Sequence, residues 1–107
     1  MQTEYPAQEP TRAEVDALPG PVLVEFGTPW CPHCQAIQPT LAGLFTQFPA
    51  VRHIKVEDGR GKPLGRSFRV KLWPNLVFLR DGQVIKQLAR PDVEEVREEL
   101  EAIFVEE

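Results

Sequence analysis

The chain has two cysteines, and only two residues separate them. Cys31-Pro32-His33-Cys34 follows an apolar run, Val22–Phe26, that only Glu25 interrupts. It precedes Ile37, Leu41, Leu44, Phe45 and Phe48, which recur at the spacing of one helical face. The earlier run has the length and composition of a strand buried on both faces. A Cys-x-x-Cys between a buried strand and an amphipathic helix constrains the fold to one that presents a dithiol at a helix N-terminus. It constrains the chemistry to redox exchange or metal binding.

The 107 residues suffice for one domain with one core. Residues 1–10 are polar with Pro6 and Pro10, and read as a flexible arm or a weak edge strand. The domain proper spans 11–107. Thr11 and Glu14 form a capping-box pattern that opens a short helix ending near Leu18. Pro19-Gly20-Pro21 stops it. Pro39 lies inside the helix after the cysteines and should kink it. Val51–Val56 reads as a strand, and 61–68 holds a short helix. Leu76–Leu79 and Val84–Leu88 are strands joined by the hairpin signal Asp81-Gly82. A last helix over 92–105 turns Val93, Val96, Leu100 and Ile103 to the core. Strand, helix, strand, helix, strand, strand, helix makes an α/β layered domain with a mixed sheet.

The position of the dithiol sets its chemistry. A helix N-terminus offers unpaired N–H groups and partial positive charge, and both favour a thiolate. Pro32 suits the first turn, where its missing N–H costs nothing. Cys31 is therefore expected as the exposed, low-pKa nucleophile, and Cys34, one turn in, as the resolving thiol. A purely structural disulfide closes too small a loop to stabilise much. A zinc site drawing on Cys31, Cys34, His33 and His53 lacks the usual His-x3–5-His partner, and His33 would have to fold back between the two cysteines. Haem attachment needs a histidine where Gln35 stands. His53 reads as a strand or loop residue, and no metal is assigned.

Net charge is −4, with no basic run and no cationic stripe interleaved with aromatics, so no nucleic-acid partner is expected. No apolar stretch approaches the ~20 residues that span a bilayer, so no membrane partner is expected. The first ten residues show neither a positive cluster nor an apolar segment, and the expected compartment is the cytoplasm.

The run Val22–Phe26 followed by Pro29-Trp30-Cys31 resembles the strand and active-site turn of the thioredoxin family. Pro39 matches that family's helix proline, Trp73-Pro74-Asn75 its cis-proline segment, and Asp81-Gly82 the hairpin that follows. The likeness runs from about Thr11 to Phe104. It implies a three-layer α/β/α sandwich around a central mixed β-sheet. It also implies a monomeric, cofactor-free oxidoreductase exchanging two electrons with protein disulfides. By the same resemblance Glu25 is a buried acid that relays the proton of Cys34, and Lys55 moderates its charge. Trp30, Trp73 and Pro74 would contact an extended substrate segment. A thioredoxin reductase or glutathione would supply electrons.

There are departures. Pro32-His33 is the dipeptide typical of the periplasmic disulfide-oxidase family, and implies a potential above ordinary thioredoxin's. Gly27 stands where a large aromatic is common, and Trp73 where a smaller aliphatic is usual. Arg90 stands where a glycine normally flattens the docking surface. The competing reading is a thioredoxin-like binding or assembly module, since a fold does not fix a function.

Overall fold

The computed structural model describes residues 1–105, so Glu106 and Glu107 at the end of the expected domain lie outside the described residues. The elements are α1 (Arg12–Asp16), β1 (Pro21–Gly27), α2 (Pro32–Gln47), β2 (Arg52–Glu57), α3 (Pro63–Ser67), β3 (Asn75–Arg80), β4 (Gln83–Ala89) and α4 (Val93–Val105). The strands form one mixed sheet in the order β2-β1-β3-β4. β1 runs parallel to β2 and antiparallel to β3, and β4 returns antiparallel to β3.

Successive strand residues point to opposite faces, and here both faces are covered. Leu23, Leu76 and Phe78 pack with Leu41, Leu44 and Phe45 of α2 and with Val96, Leu100 and Ile103 of α4. Val22, Val24, Phe26, Val77 and Leu79 pack with Val15 of α1, Leu64 of α3 and Phe68. The result is a three-layer α/β/α sandwich. It explains why β1 is apolar almost throughout: every residue from Val22 to Gly27 is buried.

Local chemistry sets the ends. Thr11 and Glu14 cap α1 reciprocally: the Glu14 N–H donates to Thr11 Oγ1 (3.0 Å) and the Thr11 N–H to Glu14 Oε1 (2.8 Å). Asp92 and Glu95 do the same for α4, at 2.9 and 3.0 Å. In the hairpin both Asp81 and Gly82 have positive φ, +50° and +79°, the two-residue turn that matches strand twist. A side chain at Gly82 would also run into the Asp16 carbonyl.

One expectation changes. Val93, the first residue of α4, is 41% exposed and does not join Val96, Leu100 and Ile103 in the core; it lines a surface cavity with His33 and Pro74. Residues 1–10 form neither helix nor strand. They are tied to β2 through side chains and one amide rather than a backbone ladder. The Gln2 N–H donates to His53 Nδ1 (3.0 Å), and the Gln2 side-chain amide to the Lys55 carbonyl (3.0 Å).

Candidate active site

β1 ends at Gly27, and the chain turns through Thr28-Pro29-Trp30 into α2 with Cys31 as its N-cap. The cap is the thiol itself: the Cys34 N–H donates to Cys31 Sγ at 3.2 Å. Both cysteines are free thiols. Cys34 is 1% exposed. Cys31, expected to be exposed, is 4% exposed. The cause is the cap geometry, which turns the sulfur back over the first helical turn. Burial pushes the Cys34 thiol up to about 12; hydrogen bonding to Cys31 and the charges of Cys31 and Glu25 add to this, and a hydrogen bond with the Thr28 backbone opposes it.

The sheet register assembles the charged cluster behind the dithiol. Parallel pairing sets Leu23 beside His53 and Glu25 beside Lys55. All four side chains therefore share the face covered by α2. Glu25 is fully buried. Its Oε1 lies 2.8 Å from His53 Nε2, and its Oε2 accepts from the Gln38 amide at 2.7 Å and from Lys55 Nζ at 3.4 Å. Lys55 also donates to Gln38 Oε1 (2.8 Å), and the Gln38 amide reaches the Cys34 carbonyl (2.8 Å). Burial alone would raise the Glu25 pKa. The His53 and Gln38 hydrogen bonds, with the Lys55 charge, outweigh it and hold the carboxyl below its ordinary range.

Sequence reasoning weighed His53 only as a zinc ligand and otherwise read it as a strand or loop residue, and it did not consider Gln38. The signal for His53 is visible only once the β1–β2 register is known. With its Nδ1 accepting from the Gln2 amide, the ring holds its proton on Nε2, facing Glu25. Tyr5 was missed as well. Lys55 Nζ lies over its ring, 4.7 Å from the centroid. Gly27 explains why it fits: a Cβ there would stand 2.6 Å from Cys34 Sγ and 3.0 Å from Tyr5 Oη. Where the resembled family carries a large aromatic on the strand, this chain leaves the space to Cys34 and to a tyrosine from the N-terminal arm. Burial, then the charges of Cys34, Glu25, Cys31 and Glu57, raise the Tyr5 pKa, so its hydroxyl keeps its proton.

On the outer side, Trp30 is 69% exposed and meets Trp73 edge-on, with ring centroids 5.6 Å apart. Trp73 Nε1 donates to Asp58 Oδ2 (2.9 Å). The Trp73–Pro74 peptide is cis. Arg90 adopts a left-handed φ of +49°, a conformation that glycine reaches without strain. Its amide donates to the Pro74 carbonyl (2.9 Å) and its Nε to the Trp73 carbonyl (2.7 Å). His33 is exposed and shares an open cavity of about 340 Å³ with Pro74, Arg90 and Val93. His53 is buried against Glu25 and the Phe45 ring of α2, so the structure gathers Cys34, Glu25, Lys55 and His53 in one place and leaves His33 apart.

A family model described as Thioredoxin matches residues 5–103. The chain belongs to the thioredoxin family. It is 54% identical to thioredoxin 2 of Pseudomonas aeruginosa PAO1, solved in its reduced form, across the whole of both chains, with a TM-score of 0.86. Thioredoxin Asp f 28 of Aspergillus fumigatus is 29% identical over 85 residues, 78% of this chain and 79% of that protein. Thioredoxin H5 of Arabidopsis thaliana is 27% identical over 79 residues, 74% of this chain and 67% of that one. With two free thiols one helical turn apart, the chain is a thioredoxin-type thiol–disulfide oxidoreductase.

Proposed function

We propose that the protein reduces or oxidises protein disulfides with Cys31 as nucleophile and Cys34 as resolving thiol, at a potential above that of ordinary thioredoxin. The observation that carries the assignment of roles is the asymmetry of the pair. Cys31 Sγ caps a helix and receives an N–H, whereas Cys34 is held protonated deeper in the site.

In the reductive direction the Cys31 thiolate attacks a substrate disulfide. The substrate S–S bond breaks, one substrate thiolate leaves, and a mixed disulfide forms. Cys34 then gives up its proton and attacks Cys31 Sγ. The second substrate thiolate leaves as the Cys31–Cys34 bond closes, and two protons end on the substrate thiols.

Glu25 takes part in the middle step. At rest its carboxylate is too weak a base for a thiol near 12. Two of the influences that raise Cys34, the hydrogen bond and the charge of Cys31, vanish once Cys31 is in a mixed disulfide. Cys34 then becomes easier to ionise at the moment it must react, with Glu25 receiving the proton and Lys55 moderating the carboxylate. Trp30, Trp73 and Pro74 receive an extended substrate segment, its backbone pairing in β-fashion beside Pro74. Catalysis of insulin reduction by dithiothreitol tests the activity. A rate equal to that of dithiothreitol alone overturns it in favour of a binding or assembly module.

The potential is the finer part. Pro32 and His33 occupy the first turn of α2, where a histidine cation adds to the helix N-terminus in favour of a Cys31 thiolate and hence of the reduced form. Glu25 acts the other way. Ordinary thioredoxin lies near roughly −270 mV and the periplasmic oxidase near roughly −120 mV, and we place this protein at about −200 mV. Equilibration with a thiol/disulfide buffer should give that value. Pro32→Gly with His33→Pro should move it about 70 mV toward thioredoxin's, ~3 kcal/mol for two electrons. A wild-type value at or below roughly −270 mV overturns the tuning role. A cytoplasmic setting is part of the proposal. The monomeric dithiol is then the resting form, with a thioredoxin reductase or glutathione as electron source.

A further inference from the structure

The sequence showed no contiguous basic run, but folding makes a basic surface. Arg60, Lys62, Arg66, Arg69 and Lys71 surround one open cavity of about 610 Å³, whose other walls include Asp58 and Trp73. Arg60, Arg66, Arg69 and Lys71 are exposed and Lys62 is half-buried. They are five of the chain's twelve Lys and Arg, and residues 59–72 hold none of its sixteen Asp and Glu. Among the described residues none of the five is in an ion pair. The carboxylate in the cavity wall, Asp58, accepts from the Trp73 indole and is seated against Gly65, where a side chain would displace it. The excess negative charge lies elsewhere, much of it on α4.

The place of this surface gives it a use. Trp73 lines the basic cavity and Pro74, the next residue, lines the cavity shared with His33. Trp73 also touches Trp30, the neighbour of Cys31. A segment lying along Trp73 and Pro74 therefore extends from the dithiol directly into the field of five unpaired cations. We propose that this cavity selects protein substrates whose reactive cysteine is flanked on one side by Asp and Glu residues. The proposal rests on the disulfide-exchange reading above and names the substrate class for that site. A protein with net charge −4 would otherwise repel such partners. A local cationic cleft reverses this by raising the local concentration of an acidic segment and speeding its encounter.

Three oxidised peptides of equal length, with one disulfide flanked by acidic, neutral or basic residues, test it. At low ionic strength kcat/KM should favour the acidic over the neutral peptide by about tenfold, through KM, with the basic one poorest. The ratio should fall toward unity near 1 M salt, where the Debye length is about 3 Å. Arg66→Gln/Arg69→Gln/Lys71→Gln should bring the acidic-to-neutral ratio toward unity at low salt, and Glu98→Gln/Glu101→Gln on α4 should leave it in place. Equal use of acidic and neutral peptides by the wild type, or a preference that survives removal of the three cations, overturns the proposal. A protein that turns over none of the three overturns the exchange reading, and the substrate class with it.

Discussion

Turnover is expected to stop in both single cysteine variants, for different reasons. Cys31→Ser should be inert from the first step, because a hydroxyl replaces the sulfur that receives the Cys34 N–H and forms the mixed disulfide. Cys34→Ser should still attack once. It should then hold its substrate as a mixed disulfide, since the resolving thiol is gone. Mixing each variant with a disulfide substrate and separating the products without reductant checks this. Cys34→Ser should yield close to one equivalent of covalent adduct, and Cys31→Ser none. Steady-state insulin reduction should fall to the reagent background in both. An adduct on Cys31→Ser, or normal turnover by Cys34→Ser, would mean the roles are exchanged or the chemistry lies elsewhere. A rise in the rate of first attack in Cys34→Ser would not disturb the assignment, because removing a thiol changes only the group below Cys31.

The dithiol, the strand before it and the helix after it were legible in the sequence because each carries a local signal. Val22–Phe26 shows strand composition, Ile37 to Phe48 a helical period, and Thr11 with Glu14 a cap that spans only two intervening residues. The Asp81-Gly82 turn is local in the same sense. Misses arise where the deciding contact is far away in the chain. His53 looked like an ordinary strand residue, since nothing local says that parallel pairing puts it beside Leu23 and hence next to Glu25. Gln2 and Tyr5 looked like an arm, because their partners, His53 and Lys55, lie about fifty residues on. Gly27 read as a missing aromatic, whereas the space it leaves is used by Cys34 and Tyr5. The five cations of 59–72 are interrupted in sequence, and α3 with the loops on either side of it brings them to one cavity. Val93 obeyed the helical period, but it lies at the helix start, where period alone does not say how far the core extends.

Glu25 is the charge on which the buried cluster depends. Glu25→Ala should destabilise the protein by about 3–5 kcal/mol near neutral pH, the usual cost of removing one partner from a buried ion pair. The alanine leaves His53 without this acceptor and the Lys55 ammonium, almost fully buried, with Gln38 and the Tyr5 ring as its partners among the described residues. Glu25→Ala with Lys55→Met should cost less than the sum of the two single changes, because the orphaned charge is removed together with its partner. The pH dependence has a defined sign. The folded-state pKa of Glu25 is lowered, so its contribution is complete above the ordinary value of 4.5 and is lost as pH falls through the lower folded value. The gap in stability between wild type and Glu25→Ala should therefore stay level from pH 7 to about 5 and close in stronger acid. Cys34 acts at the other end. Its folded pKa is raised from 9.0 to about 12, so the reduced wild type should lose stability as pH rises through that window, and Cys34→Ser should not share the loss. Urea unfolding of the reduced proteins between pH 3 and 10 checks both slopes. A Glu25→Ala loss under about 1 kcal/mol, the range of an exposed pair, would show that the cluster is not held by this carboxylate. A gap that is constant down to pH 3 would show that its ionisation is not what stabilises the fold.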